Sequence, residues 1–557
     1  MATLQFEEGV NRPQAKASHC RQQLLVNILD GMANVKPNAT YAHAPISPVG
    51  YDKGFRRITY HRLANAVNGL GWWITAQIGR SASFDTLLYL GPNDIRQTAI
   101  IFACIKAGYK CLFTSHRLQL CDTQSLLRST SCKAILTSDP LGFHIPSIKD
   151  GCPLPIYQVP PLNTLLVEDY PSYPYKKPFE QAKHDPFLVL HTSGTSSTPR
   201  PMVLKNDWLA TYLQSLHAPS PPGFECLESR MRGCRVFVML TPYHVHGVKS
   251  FQGANLDITV FGALTNETPI ILPPAEAPVN VQTLIQGLGT IDADVCYVPP
   301  HFIEEIANNQ KYVEIVTSRA SSLVYAAGKV SEAHADIMSA KMEFWGRYGA
   351  TEQGTVPSLR ALGGWDCTMY NYIIPHPTAG WQFRPYSSSN DETIYEAFIV
   401  RDVENLKVQP VFTLFEELEE YPTHDLFLAH PRIPGAYKWC GRTDDTISLS
   451  TAANVNPMIM EHGLDQHQHI KGVLMIGNGR PRPALLVEPN DCAVSNQSFI
   501  DGIWESVEKL NRAYFVDHRI LKSYIIVTNE RERSSCTRRN CGHCMNHAQI
   551  DMLRMSM

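Results

Sequence analysis

LVLHTSGTSSTPRPMVL, residues 188–204, decides the reading of this chain. Leu188-Val189-Leu190 is a short apolar run of strand character. It passes into small hydroxyl residues around one glycine: Thr192, Ser193, Gly194, Thr195, Ser196, Ser197 and Thr198, closed by Pro199-Arg200. A buried strand that ends in such a loop lets backbone N–H and side-chain O–H groups converge on phosphate oxygens, and Arg200 adds a fixed charge. It is not a Walker-type P-loop, which requires Gly-Lys-Ser/Thr at its end. Alone, it reads equally well as a Ser/Thr-rich surface turn.

The sequence around the loop supplies the context. At 557 residues, 44% of them hydrophobic, the chain has enough apolar material for a large core, and a disordered protein is excluded. The 49 Lys and Arg against 52 Asp and Glu leave a net charge of −3, so nothing draws the whole molecule to nucleic acid or anionic lipid. Fifteen cysteines scattered singly suit a reducing compartment, and the N-terminal residues carry no secretory signal. No stretch approaches the ~20 apolar residues of a membrane span, so a cytoplasmic protein is expected. Strand and helix patterns alternate: strand-like starts near Ile58 and Phe84, each followed by an apolar helix, then strands at Phe187–Leu190, Val236–Leu240, Ala293–Val298 and Leu323–Ala326. A Pro-rich connector, Pro153–Pro178, separates the first helices from the loop. After about residue 380 the pattern turns to short alternating strands. Further signals follow at Val473–Ile476, Ala484–Val487, Ile500–Ala513 and Ile520–Val527. The expected fold is α/β, with a large N-terminal domain of layered sheets and helices (1–442) that includes a β-rich section. A small α+β domain (443–557) follows a hinge.

Three other segments accompany the loop. Tyr348-Gly349-Ala350-Thr351-Glu352 offers an aromatic face for a base, a hydroxyl for a phosphate and a carboxylate for Mg²⁺. In YPTHDLF (421–427), Asp425 suits the two hydroxyls of a ribose. GRTDDTISLSTAANVNP (441–457) holds Arg442 and the Asp444/Asp445 pair. Each alone is a common loop sequence; all of them in this order are hard to explain by chance.

In this order the segments resemble the acyl-adenylate-forming (AMP-binding) superfamily, over about residues 50–530. The likeness is nearest to the adenylation domains of fungal carboxylic acid reductases that resemble peptide synthetases. Those proteins carry segments similar to YLGPNDIRQTAIIFACIKAGYKCLFTS (89–115), HTSGT, YGATE and DD-x-I-x-LS. The resemblance implies activation of a carboxylic acid by ATP and Mg²⁺ to acyl-AMP and pyrophosphate. The acyl group would then pass to the thiol of an acyl carrier protein or CoA supplied in trans, in specialised metabolism. Carried over residue by residue, Thr192, Ser193, Gly194 and Thr195 would hold phosphates, with Arg200 in place of the usual Lys. Tyr243-His244 would line the acid pocket. Ala326, Ala327 and Gly328 would form an adenine-binding turn, flanked by Gly346, Arg347 and Tyr348. Thr351 would touch the α-phosphate and Glu352 would hold Mg²⁺. Asp425, with Leu426 and Phe427 beside it, would bind the ribose with help from Arg442, and Asp444 would be the hinge. Relatives that activate amino acids place an Asp after the aromatic residue; here His244 stands there. An imidazole is a poor partner for an ammonium, which points to an aryl or aliphatic acid rather than an α-amino acid.

Some positions depart from the family pattern. Ser197 replaces a loop glycine, and Ala452-Ala453-Asn454 stands where relatives have a Gly-rich turn. Relatives also carry a late Gly-Lys motif whose Lys bridges acid and AMP. Here Lys522 is the last lysine, and SSCTRRNCGHCMNHAQIDMLRMSM follows the expected place. Loss of one bridging cation typically costs roughly 10²–10³ in rate. The alternative expectation is therefore an adenylation-defective remnant that binds nucleotide or acyl-adenylate. Cys536, Cys541, Cys544 and His547 are spaced too tightly for a good zinc site.

Overall fold

The computed structural model describes residues 23–114, 120–138, 152–192, 200–240, 253–326, 328, 330–363, 366–389, 392–451, 454–465, 467–490, 495–512, 514 and 516–528. Loop residues 193–199, the His244 segment, Ala327, Ala452-Ala453 and the cysteine-bearing tail lie outside them.

Two mostly parallel sheets and an antiparallel one build the large N-terminal part. The first sheet runs Glu343–Arg347, Ser322–Ala326, Val295–Val298, Val236–Val238, Ile270–Ile271, Thr40–Pro45, Phe55–Thr59. All neighbours in it are parallel except the last pair. The second runs Ile156–Gln158, Cys132–Thr137, Thr86–Leu90, Lys110–Phe113, Pro186–Thr192, Arg200–Lys205, with only the last pair antiparallel. Parallel strands need helical crossovers, and their caps can be read in the sequence. Thr59 accepts from the Arg62 N–H at 3.2 Å to start helix Tyr60–Gln77. Asp94 caps helix Ile95–Ala107 through the Arg96 N–H at 2.8 Å. Gly108 ends that helix at φ 85°, where a Cβ would lie 2.2 Å from the Ser81 carbonyl oxygen.

The β-rich section after residue 380 is an antiparallel sheet: Tyr372–Ile373, Tyr437–Arg442, Glu420–Ala429, Glu392–Val400, Trp381–Ser389. One core packs both large sheets and the helices between them, including Leu87, Phe102, Leu188, Val238 and Trp345. A second covers the other face of the first sheet, through Phe237, Cys296, Leu323 and Phe344. The C-terminal residues have a core of their own, from Ile447 to Ile525. It joins strands Ile470–Ile476, Ala484–Pro489 and Ile525–Val527 to helices Met458–Asp465 and Asn496–Asn511.

Two expectations change. The connector 153–178 contains an edge strand, Ile156–Gln158, and a helix, Leu162–Val167. The strand expected over 520–527 is only Ile525–Val527, because the Asn511 side chain bonds both the N–H and the C=O of Ile520, each at 2.8 Å. A backbone satisfied by a side-chain amide makes no ladder. Ten described cysteines are free, and among the described residues no helix is long and apolar enough to cross a membrane.

Candidate nucleotide site

Parallel α/β sheets bind ligands beyond the carboxyl ends of their strands. Here those ends bring Ala326 and Arg347 side by side, and Tyr325 beside Gly346. A Cβ on Gly346 would fall 2.5 Å from the Tyr325 ring, so only glycine lets the strand lie this close. In the second sheet Thr192, at the carboxyl end of an interior strand, pairs with Arg200 at the start of the antiparallel edge strand. The edge strand leads into helix Asn206–Leu216, whose Trp208 indole donates to the Glu352 carbonyl at 2.9 Å. That bond ties the helix to the 348–352 turn.

Asp425 is the centre of the site. It is 5% exposed, and both its oxygens are engaged. The Tyr348 hydroxyl donates to Oδ2 at 2.6 Å and the Trp439 indole to Oδ1 at 3.0 Å. The Arg442 guanidinium reaches both oxygens at 3.2 Å, from the position directly across the ladder. Arg442 also donates to Asp444 at 3.1 Å. Tyr348, Asp425, Arg442 and Asp444 therefore form one continuous chain of contacts. Burial first, then the neighbouring Asp425 carboxylate, pushes the Tyr348 hydroxyl well above its usual pKa. Burial works against the charge of Arg442, but Asp425 and Asp444 hold it protonated. His424, next to Asp425, adopts φ 58°, a left-handed conformation that costs a non-glycine residue about 1 kcal/mol. Its ring lies 3.7 Å from Glu396 and 3.9 Å from Asp444.

A family model described as "AMP-binding enzyme" matches residues 32–380, and one described as "AMP-binding enzyme C-terminal domain" matches 444–550. The chain belongs to the AMP-binding enzyme family. It is 25% identical over 516 residues to a carboxylic acid reductase of Neurospora crassa, covering 91% of this chain and 48% of that protein. It is 28% identical over 497 residues to the adenylate-forming reductase Nps9 of Serpula lacrymans, covering 84% and 43%. The chain thus spans about half the length, or less, of these curated relatives. Among solved structures, the anthranilate CoA ligase AuaEII in complex with anthranoyl-AMP matches with TM-score 0.66 at 16% identity, over 93% of this chain and 95% of that one. The O-succinylbenzoate CoA synthetase of Bacillus subtilis with AMP matches with TM-score 0.64 at 13% identity, over 91% and 95%.

In this AMP-binding enzyme the other expected site residues fall into two groups. Thr351 is buried and Glu352 half-buried on the turn after Tyr348. Burial raises the Glu352 carboxyl above the ordinary range. A desolvated carboxylate beside a threonine hydroxyl is a hard-oxygen donor set that fits Mg²⁺. The Gly346–Arg347 backbone lies beside Tyr325 and Ala326. Arg347, Leu426 and Phe427 are placed differently from the expectation. The Arg347 guanidinium is 3% exposed and turns inward, to Glu228 at 3.1 Å and Asp257 at 2.7 Å, which leaves only its backbone for a nucleotide. Leu426 and Phe427 are fully buried; Phe427 packs edge-on against Tyr348 at 5.4 Å and supports that ring. Trp208, Trp439 and Asp257 were not anticipated. Trp439 stands three residues before Arg442 on a strand, a spacing that carries no sequence motif. Lys522 pairs with Asp501 at 2.7 Å and lies over the Trp504 ring.

Proposed function

We propose that this chain activates a carboxylic acid with ATP, forming acyl-AMP and pyrophosphate. The observation that carries the reading is the Tyr348–Asp425–Arg442–Asp444 chain, centred on the buried Asp425 beside Glu352, in a member of the AMP-binding family. A carboxylate oxygen attacks the α-phosphorus and the bond to the pyrophosphate oxygen breaks, a displacement driven by positioning and charge neutralisation. Thr192, Ser193, Gly194, Thr195 and Arg200 are assigned to the phosphates. Ala326, Ala327, Gly328, Gly346 and Tyr348 are assigned to the adenine, Asp425 and Arg442 to the ribose, and Thr351 to the α-phosphate. Glu352 would hold Mg²⁺, which supplies charge neutralisation of the phosphate oxygens. The four donor contacts on Asp425 use the usual capacity of a carboxylate, so ribose entry requires Arg442 to shift toward Asp444.

The boundary is read at 442/443 with Asp444 as the hinge, in keeping with the separate core that begins at Ile447. The acid is read as aryl or aliphatic from His244, and the acceptor as a carrier-protein or CoA thiol in trans. Acid-dependent exchange of labelled pyrophosphate into ATP, over aryl, aliphatic and amino acids, tests the reading. Exchange with an aryl or aliphatic acid is expected. Mg-ATP binding without exchange for any acid would leave the binding-only alternative standing.

A further inference from the structure

Asp257 opens a π-helical turn, Asp257–Gly262, a rare geometry that recurs at functional sites. It is 1% exposed and lies outside the ribose cluster. Its Oδ2 meets Arg347 at 2.7 Å and accepts the Thr355 hydroxyl at 3.1 Å. Its Oδ1 accepts the Tyr212 hydroxyl, and that hydroxyl oxygen takes the Thr355 N–H at 3.3 Å. Arg347 is the residue before Tyr348, and Thr355 follows Gly354. One carboxylate therefore grips both ends of the segment 348–354, the segment that carries Thr351 and Glu352. The ends are also paired to each other, Gly349 with Thr355 and Ala350 with Gly354. Gly354, at φ 74°, lies directly on the Tyr212 ring, which a Cβ would approach to 2.3 Å. Glu228 holds the far side of Arg347 at 3.1 Å.

We propose that Asp257 is a positioning residue for adenylation: through Arg347, Thr355 and Tyr212 it clamps the 348–354 turn and so sets where Thr351 and Glu352 meet the phosphates and Mg²⁺. The inference rests on the proposed adenylation. The Arg347 and Asp257 side chains are 3% and 1% exposed, and the low dielectric of such an interior strengthens their ion pair and stiffens the clamp. Losing one arm shifts the turn by fractions of an ångström, and displacements of about 1 Å at a reacting centre cost up to 10²-fold in rate.

The test uses the full chain with Thr355→Val, Thr355→Ser and Asp257→Asn. Unfolding midpoints are used to fix the folded fraction of each. Thr355→Val is isosteric, so it decides the matter even where Asp257→Asn does not fold. Expected for Thr355→Val and Asp257→Asn are a kcat in pyrophosphate exchange lowered about tenfold or more, with the Mg-ATP Kd moved less than about threefold. Thr355→Ser, which keeps the hydroxyl, returns the rate to that of the unaltered protein. Equal kcat in Thr355→Val and Thr355→Ser overturns the clamp. If the unaltered protein exchanges with no acid, the adenylation reading fails on its own. The clamp is then read from the Mg²⁺ concentration that half-saturates ATP binding: a several-fold rise in Thr355→Val supports it and no change refutes it.

Discussion

Replacing Asp425 separates its charge from its shape. At Oδ1 it receives the Trp439 indole N–H, at Oδ2 the Tyr348 hydroxyl, and Arg442 spans both. Asparagine keeps the shape. Its carbonyl oxygen can face Trp439, which only donates, and its NH₂ can face Tyr348, whose hydroxyl can turn and accept. Arg442 loses part of one partner but keeps Asp444 at 3.1 Å. Asp425→Asn should therefore cost only about 1–2 kcal/mol, one charge-assisted hydrogen bond. Asp425→Ala leaves two half-buried donors unpaired and half of the guanidinium uncompensated. At ~1–3 kcal/mol for each orphaned group, about 3–5 kcal/mol is expected. ATP binding should not follow this order. Both variants lose the anionic acceptor proposed for the ribose, and both should weaken Mg-ATP by about tenfold or more, an effect of ~1.4 kcal/mol or greater. Urea unfolding and calorimetric titration with Mg-ATP measure the two effects on the same samples. Equal destabilisation by the two variants would refute the hydrogen-bond account. An unchanged ATP Kd in Asp425→Asn would refute the ribose assignment.

Other perturbations reach the rest of the site. Burial raises the Glu352 carboxyl, so the ionised form that Mg²⁺ requires is disfavoured in the free protein. Glu352→Gln should raise the unfolding midpoint at pH 7 while abolishing Mg²⁺-dependent tightening of ATP binding; a variant that is less stable contradicts the burial argument. His191, buried on the strand that ends at Thr192, is lowered from 6.5 to about 4 by burial. The unfolded chain then binds the extra proton first. Its contribution of about 3 kcal/mol is complete above pH 6.5 and is lost as pH falls toward 4. His191→Gln should flatten urea stability across that window, and an unchanged slope would point elsewhere. His424→Gly relieves a left-handed residue and should stabilise by about 0.5–1 kcal/mol, read as a higher urea midpoint; a loss would mean that its contacts near Glu396 and Asp444 outweigh the strain.

The sequence alone determined the local units. Leu188-Val189-Leu190 is a strand because nothing but apolar side chains suits a position buried on both faces of a parallel sheet. Thr59, Asp94 and Gly108 end their helices by capping chemistry that acts within a few residues. The order of HTSGT, YGATE, Asp425 and Arg442 was enough to place the chain in its family and to bring Tyr348, Asp425 and Arg442 to one site. Part of what was missed was also legible. Along Glu343–Arg347 side chains alternate, with Phe344 in one core and Trp345 in the other. Arg347 shares the Trp345 face and so turns inward rather than toward a nucleotide. The same alternation sets Phe427 with Asp425 beside Tyr348. Only the tertiary structure decided the partners. Asp257 lies 90 residues before Arg347 and 98 before Thr355, and Trp439 meets Asp425 across a ladder. Such contacts follow from how sheets and helices pack. A buried charge is tolerated wherever packing delivers its counter-charges, and no local pattern in the chain encodes that meeting.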